Sequence, residues 1–148
     1  MLKITDLYKT FNPNTVNEKL VLKGLNLELK DGDFVTVIGG NGAGKSTMLN
    51  MIAGVYFPDR GSIVLDGEDI TYLPEYKRAK YLGRVFQDPM MGTASNMEIQ
   101  ENLALAYRRG KKRGLGWGIT KEEKELYVDK LKVLDLGLET RLTSKVGL

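Results

Sequence analysis

The segment that most restricts what this chain can fold into is Gly39-Gly40-Asn41-Gly42-Ala43-Gly44-Lys45-Ser46, set between two runs of opposite character. Before it stands Phe34-Val35-Thr36-Val37-Ile38, short, β-branched and mostly apolar, which predicts a buried strand. After it, Ser46 to Ala53 carries helix-forming residues, and Gly54 supplies a stop. The spacing G-x-x-x-x-G-K-[ST] in a strand-loop-helix context is that of a phosphate-binding P-loop. Glycines let successive backbone N–H groups converge on phosphate oxygens without obstruction by Cβ. The helix that follows adds its free N-terminal donors and the positive end of its dipole. Lys45 is expected to reach the β- and γ-phosphates, the Ser46 hydroxyl to ligate magnesium, and Thr47 to face the α-phosphate from the first helical turn. The predicted ligand is a nucleoside triphosphate with Mg2+, ATP foremost.

The rest of the chain reads as an α/β domain with an antiparallel start. Residues 2–8 form a predicted strand, and Asn12-Pro13-Asn14 breaks it. Leu25, Leu27 and Leu29 alternate with Asn26 and Glu28, the period of a half-buried strand. Lys30-Asp31-Gly32-Asp33 reads as a hairpin turn. Gly61 to Leu65 predicts a strand entering an Asp66-Gly67 turn, and a short helix is expected after Pro74. Gly83-Arg84-Val85-Phe86 reads as a further strand. Ser95 with Glu98, and Thr120 with Glu123, have capping-box spacing and open predicted helices to about Tyr107 and Leu134.

Composition excludes several chemistries. The 148 residues include no histidine and no cysteine, so there is no imidazole base, no thiolate metal site and no disulfide. No apolar run has the length of a membrane span, and the amino terminus lacks a signal peptide's apolar core. The net charge is +3, yet five basic residues (Arg108, Arg109, Lys111, Lys112, Arg113) fall together, and subtracting them leaves −2. They lie at the start of a glycine-rich stretch, Gly110–Gly118, read as a solvated surface loop, with Trp117 beside them.

Beyond the P-loop, several segments in order resemble the ATP-binding subunit of ABC transporters. They are Gly40 to Thr47 with Leu49 and Gly54; Pro58-Asp59-Arg60-Gly61-Ser62-Ile63 with Asp66-Gly67-Glu68-Asp69-Ile70; Val85-Phe86-Gln87-Asp88-Pro89; and Glu101-Asn102. The resemblance covers essentially the whole chain. It implies a P-loop NTPase core with an antiparallel β subdomain and the start of a helical subdomain, a truncated ABC ATPase fold. Residues 1–148 would then be a partial nucleotide-binding domain, with 1–90 the core and β subdomain through the Q-loop and 91–148 the helical portion. Gln87 matches the Q-loop glutamine, implying a place beside magnesium and the γ-phosphate. Phe11 aligns with the aromatic that stacks on adenine, with Tyr8 its competitor three residues away.

The family's signature segment, its Walker B strand ending in Asp-Glu and its switch histidine have no counterpart here. Ile63-Val64-Leu65-Asp66 is disqualified as Walker B by Gly67, and Lys132-Val133-Leu134-Asp135 by its lysine and its place at a helix end. The resemblance therefore implies an amino-terminal portion of a longer subunit, one that binds ATP weakly, hydrolyses it poorly alone and exposes core strands prone to aggregate. For the full-length subunit it implies ATP hydrolysis coupled to solute transport, with import favoured. The implied partners are a transmembrane permease, a second ATP-binding subunit and a solute-binding protein. The implied location is cytoplasmic, on the inner face of the membrane. The competing reading is an ABC-type ATPase of DNA repair or translation using the basic loop on nucleic acid. A small-molecule P-loop kinase would leave the Gln87 segment unexplained.

Overall fold

The computed structural model describes residues 1–111 and 118–147. Lys112, Arg113 and Trp117, and with them most of the expected basic loop, lie outside the described residues. The chain forms two compact units, Met1–Leu82 and Gly83–Leu148.

The first unit is built on an antiparallel sheet of four strands, β1 (Leu2–Phe11), β2 (Lys19–Leu29), β3 (Arg60–Leu65) and β4 (Glu68–Asp69), in the order β2-β1-β3-β4. Between β2 and β3 the chain forms the helix α1 (Lys45–Ala53), and after β4 the single-turn α2 (Glu75–Arg78). The β1–β2 register runs from Leu2 opposite Leu29 to Phe11 opposite Lys19. In β1 the buried residues are Leu2, Ile4 and Leu7, a sequence that breaks strict alternation by one position. Simple alternation would put Leu7 on the solvent face, because each residue of slip reverses the pleat. The ladder shifts register between Ile4 and Leu7, where Asp6 takes φ 50°, and this bulge returns Leu7 to the core.

Gly61 faces the bulge at φ 99°, and a methyl group there would lie 2.4 Å from the Asp6 carbonyl oxygen. Only glycine lets the two strands approach so closely. Leu2, Ile4, Leu7, Leu22, Ile63 and Ile70 then form one apolar cluster with Met48 and Met51 of α1, seating that helix on the sheet.

A buried arginine locks the far end of α1. Arg78 is fully enclosed, and its guanidinium donates to four carbonyls: Leu73 from Nε at 2.6 Å, Met51 and Ile52 from Nη1 at 2.7 and 2.9 Å, and Thr71 from Nη2 at 2.9 Å. Two of these acceptors belong to the last turn of α1, the negative end of its dipole. Burial lowers the Arg78 pKa from its ordinary value, and Asp69 opposes that shift.

Three expectations are corrected. Phe34–Ile38 forms no strand, and Phe34 and Ile38 are 96% and 90% exposed. An apolar run with side chains on both faces becomes a strand only when neighbours pair on its edges and cover its faces, and no described strand lies alongside. Gly83–Phe86 is likewise irregular, with Val85 97% exposed. The turn at Lys30–Asp33 exists, Asp33 N–H donating to the Lys30 carbonyl at 3.1 Å, but it leads into no second strand.

The second unit contains a 3-10 turn (Pro89–Gly92), the helices α3 (Ile99–Tyr107) and α4 (Lys121–Lys132), and a second 3-10 turn (Leu138–Thr140). The start of α3 departs from expectation: Glu98 is its N-cap, in a reciprocal capping box with Glu101, and Ser95 lies upstream in a turn. The predicted Thr120–Glu123 box caps α4 as expected. Asn102 clasps the approach to α3, accepting from Ala94 N–H at 2.8 Å and donating to the Ala94 and Glu98 carbonyls at 3.1 and 3.0 Å. The pair Glu101-Asn102 is thus a device for starting a helix. Residues 142–147 bond back to this start, through Ile99 N–H to Ser144, Gln100 N–H to Leu142 and Val146 N–H to Met97.

Candidate functional site

The glycine loop leaves the end of β2 through 30–38 and turns into α1. Gly42 and Gly44 take φ 80° and 90°, a left-handed backbone that glycine adopts without Cβ strain. Ala43 N–H donates to the Gly40 carbonyl at 3.3 Å and closes the loop on itself. Gly44 serves as N-cap of α1 in the left-handed conformation. A methyl group there would meet Leu22 at 2.9 Å and Val21 at 3.2 Å, so β2 and the loop pack with no room for a side chain. The base of the cradle is therefore the sheet itself.

The chemistry of the opening is cationic and donor-rich. No side chain caps the first turn of α1, and no acidic residue stands in it. Its N-terminal N–H groups and dipole thus face outward without a competing anion. Lys45 bends back over the loop, its Nζ donating to the carbonyls of Gly39 at 2.5 Å and Gly40 at 2.8 Å. Gly39 to Ala43 and Ser46 are exposed, and Thr47 is half-buried. This donor set fits a polyphosphate. It fits magnesium only as an ion that brings phosphate oxygens and waters with it, since the loop's side-chain oxygens, those of Asn41 and Ser46, are two and both neutral. Among the described residues no cluster of three or more acidic groups could hold a cation alone.

The two aromatic candidates occupy different surroundings. Phe11 ends β1 and meets Tyr56, which follows α1, edge to face with centroids 5.3 Å apart. Tyr8 is engaged elsewhere, with the Arg60 guanidinium 5.3 Å from its ring and its hydroxyl against Gly24. Gln87 is exposed and precedes Asp88, whose carboxylate accepts from Met90 N–H at 2.9 Å and caps the 3-10 turn. Gln87 lies in the second unit, whereas Lys45 and Ser46 lie in the first.

The described part of the basic cluster is partly spoken for. Arg108 donates to Glu123 from Nε at 2.9 Å and from Nη2 at 2.5 Å, and the Lys111 ammonium sits 3.5 Å from the Tyr107 ring centroid. Arg108 holds the Glu123 carboxyl at about 2, with help from the Thr120 N–H.

Sequence patterns did not single out Arg78 or Lys19. Arg78 sits in an ordinary polar stretch, and its burial depends on how β4 and α2 fold back against α1. Lys19 follows a long loop whose register cannot be counted from residue types.

A glycine loop that opens a helix, with a lysine folded over it, has the local form of a phosphate-binding P-loop, and the chain shares its fold with solved ATP-binding cassettes. The family model described as ABC transporter matches residues 22–145, and the chain belongs to that family. Over 112 residues it is 47% identical to the tyrosine transport ATP-binding protein of Clostridioides difficile (strain R20291), covering 75% of this chain and 44% of that protein. Over 111 residues it is 37% identical to the spermidine/putrescine import ATP-binding protein PotA of Haemophilus influenzae, covering 75% of this chain and 27% of PotA. Among solved structures, the dimeric bacterial ABC transporter cassette MJ0796 superposes with a TM-score of 0.77 at 30% identity, over 98% of this chain and 61% of the cassette. The chain thus matches less than half the length of these curated relatives. Among the described residues no helix is long and apolar enough to cross a membrane.

Proposed function

We propose that Gly39 to Thr47 binds the phosphates of ATP with Mg2+, as the nucleotide half-site of an ABC transporter's ATP-binding subunit. The observation that carries this reading is the pairing of uncapped N–H groups at the start of α1 with the Lys45 ammonium over the same loop. Backbone N–H groups between Asn41 and Thr47, apart from that of Ala43, which the Gly40 carbonyl holds, take the phosphate oxygens. Lys45 exchanges its two loop carbonyls for β- and γ-phosphate oxygens, a trade of neutral acceptors for charged ones. Ser46 offers its hydroxyl to magnesium, which neutralises the phosphate chain when bound. Phe11 covers the adenine.

In the full-length subunit this site takes part in ATP hydrolysis coupled to solute transport. Import is favoured by the likeness to PotA, an import ATP-binding protein. The subunit works at the cytoplasmic face of a transmembrane permease, paired with a second ATP-binding subunit in the manner of the dimeric cassette, and with a solute-binding protein in the same system. This chain alone binds ATP but turns it over poorly, since residues 1–148 contain no Asp-Glu strand end and no histidine to orient water.

The test is titration of the purified chain with a fluorescent ATP analogue in magnesium, beside Lys45→Ala. Loss of one charge-assisted contact of about 1.5–3 kcal/mol predicts binding weakened roughly ten- to a hundredfold. Equal affinity of the two proteins would overturn the assignment.

A further inference from the structure

A second ammonium stands at the same loop. Lys19 is the first residue of β2 and pairs with Phe11, so the hairpin brings the expected adenine-side aromatic and a lysine to one sheet end. The Lys19 side chain reaches over the glycine loop, and a methyl group on Gly42 would meet its Nζ at 3.5 Å, with no other atom within 4 Å. Lys19 is exposed and forms no ion pair among the described residues. Lys45 leans over the opposite end of the loop, on Gly39 and Gly40. The two ammonium groups therefore stand at different ends of one glycine loop, Lys19 by Gly42 and Lys45 by Gly39 and Gly40.

We infer that Lys19 is a second phosphate-binding lysine, adding a charge-assisted contact to the phosphate chain of the bound nucleotide. The inference rests on the P-loop reading above and extends that site to β2. The physical reason is placement. A cation beside this exposed glycine loop gains little from the protein and much from a polyanion seated there. Its flexible stem lets it follow the anion without demanding one geometry. It also makes binding depend on salt more steeply than Lys45 and the backbone alone, because screening weakens an exposed contact.

The experiment compares the wild-type chain with Lys19→Ala, Lys19→Arg and Lys45→Ala. MgATP and inorganic tripolyphosphate are the probes, measured by equilibrium dialysis at low and moderate salt. Lys19→Ala is expected to weaken both probes by about three- to tenfold at low salt and by less at moderate salt, with Lys19→Arg close to wild type. Thermal unfolding should be unchanged by Lys19→Ala, since the side chain is exposed. If Lys45→Ala weakens binding and Lys19→Ala leaves it within twofold, the inference is wrong and the P-loop reading stands. If neither substitution matters, or the wild type binds neither probe, the P-loop reading itself fails. A loss that ignores salt, or that Lys19→Arg does not restore, also counts against a phosphate contact.

Discussion

Replacing Arg78 with methionine tests whether a hidden guanidinium, remote from the loop, holds the helix that forms the phosphate site. Met matches the length and apolar character of the stem but donates nothing. Four carbonyls lose their partner, those of Leu73, Met51, Ile52 and Thr71. The Met51 carbonyl retains the Gly54 N–H at 3.2 Å, so three acceptors bear the loss. Each buried acceptor left unmade costs about 1–3 kcal/mol. Against that, the variant no longer has to desolvate a charge, which returns several kcal/mol. The net expectation, three orphaned neutral acceptors less the returned desolvation, is a loss of about 2–4 kcal/mol.

With a urea slope of about 2 kcal/mol/M, that moves the unfolding midpoint down by roughly 1–2 M. Urea titration followed by circular dichroism reads it directly. Arg78→Lys keeps the charge without the planar fork and should fall between the two. A shift under about 0.5 M for Arg78→Met would mean that the carbonyls find water or one another, and the clasp would not be what seats α1.

Gly61→Ala should cost about 2–4 kcal/mol, combining a strained φ of 99° with a methyl group 2.4 Å from the Asp6 carbonyl oxygen, and the same urea titration measures it. Phe11→Ala should weaken ATP several-fold or more, for a stacking loss of about 1–3 kcal/mol, while leaving tripolyphosphate binding unchanged. Tyr8→Phe should alter neither. Acid should release the Arg108–Glu123 link between α3 and α4. The folded Glu123 carboxyl sits at about 2, below its ordinary value of 4.5, so its contribution is complete above 4.5 and disappears as pH falls toward 2. A carboxyl NMR titration of Glu123 checks this, and a midpoint near 4.5 would contradict the paired geometry.

What residue order determined here is local. The glycine loop, the uncapped start of α1, the Asp66-Gly67 turn and the Thr120–Glu123 box are each set by neighbours within a few positions, and φ and donor geometry at that range follow from residue type. Segments in register carried the family resemblance for the same reason. Tertiary structure decided everything that needed a distant partner. Phe34–Ile38 has the composition of a buried strand and remains unpaired, because composition cannot supply a neighbouring edge. Leu7 reaches the core only through the bulge opposite Gly61. Arg78 is buried, and Lys19 stands over Gly42, because the sheet and α1 close on one another. The loop that binds phosphate is legible in eight consecutive residues, but the charges that support and extend it are brought together only by the fold.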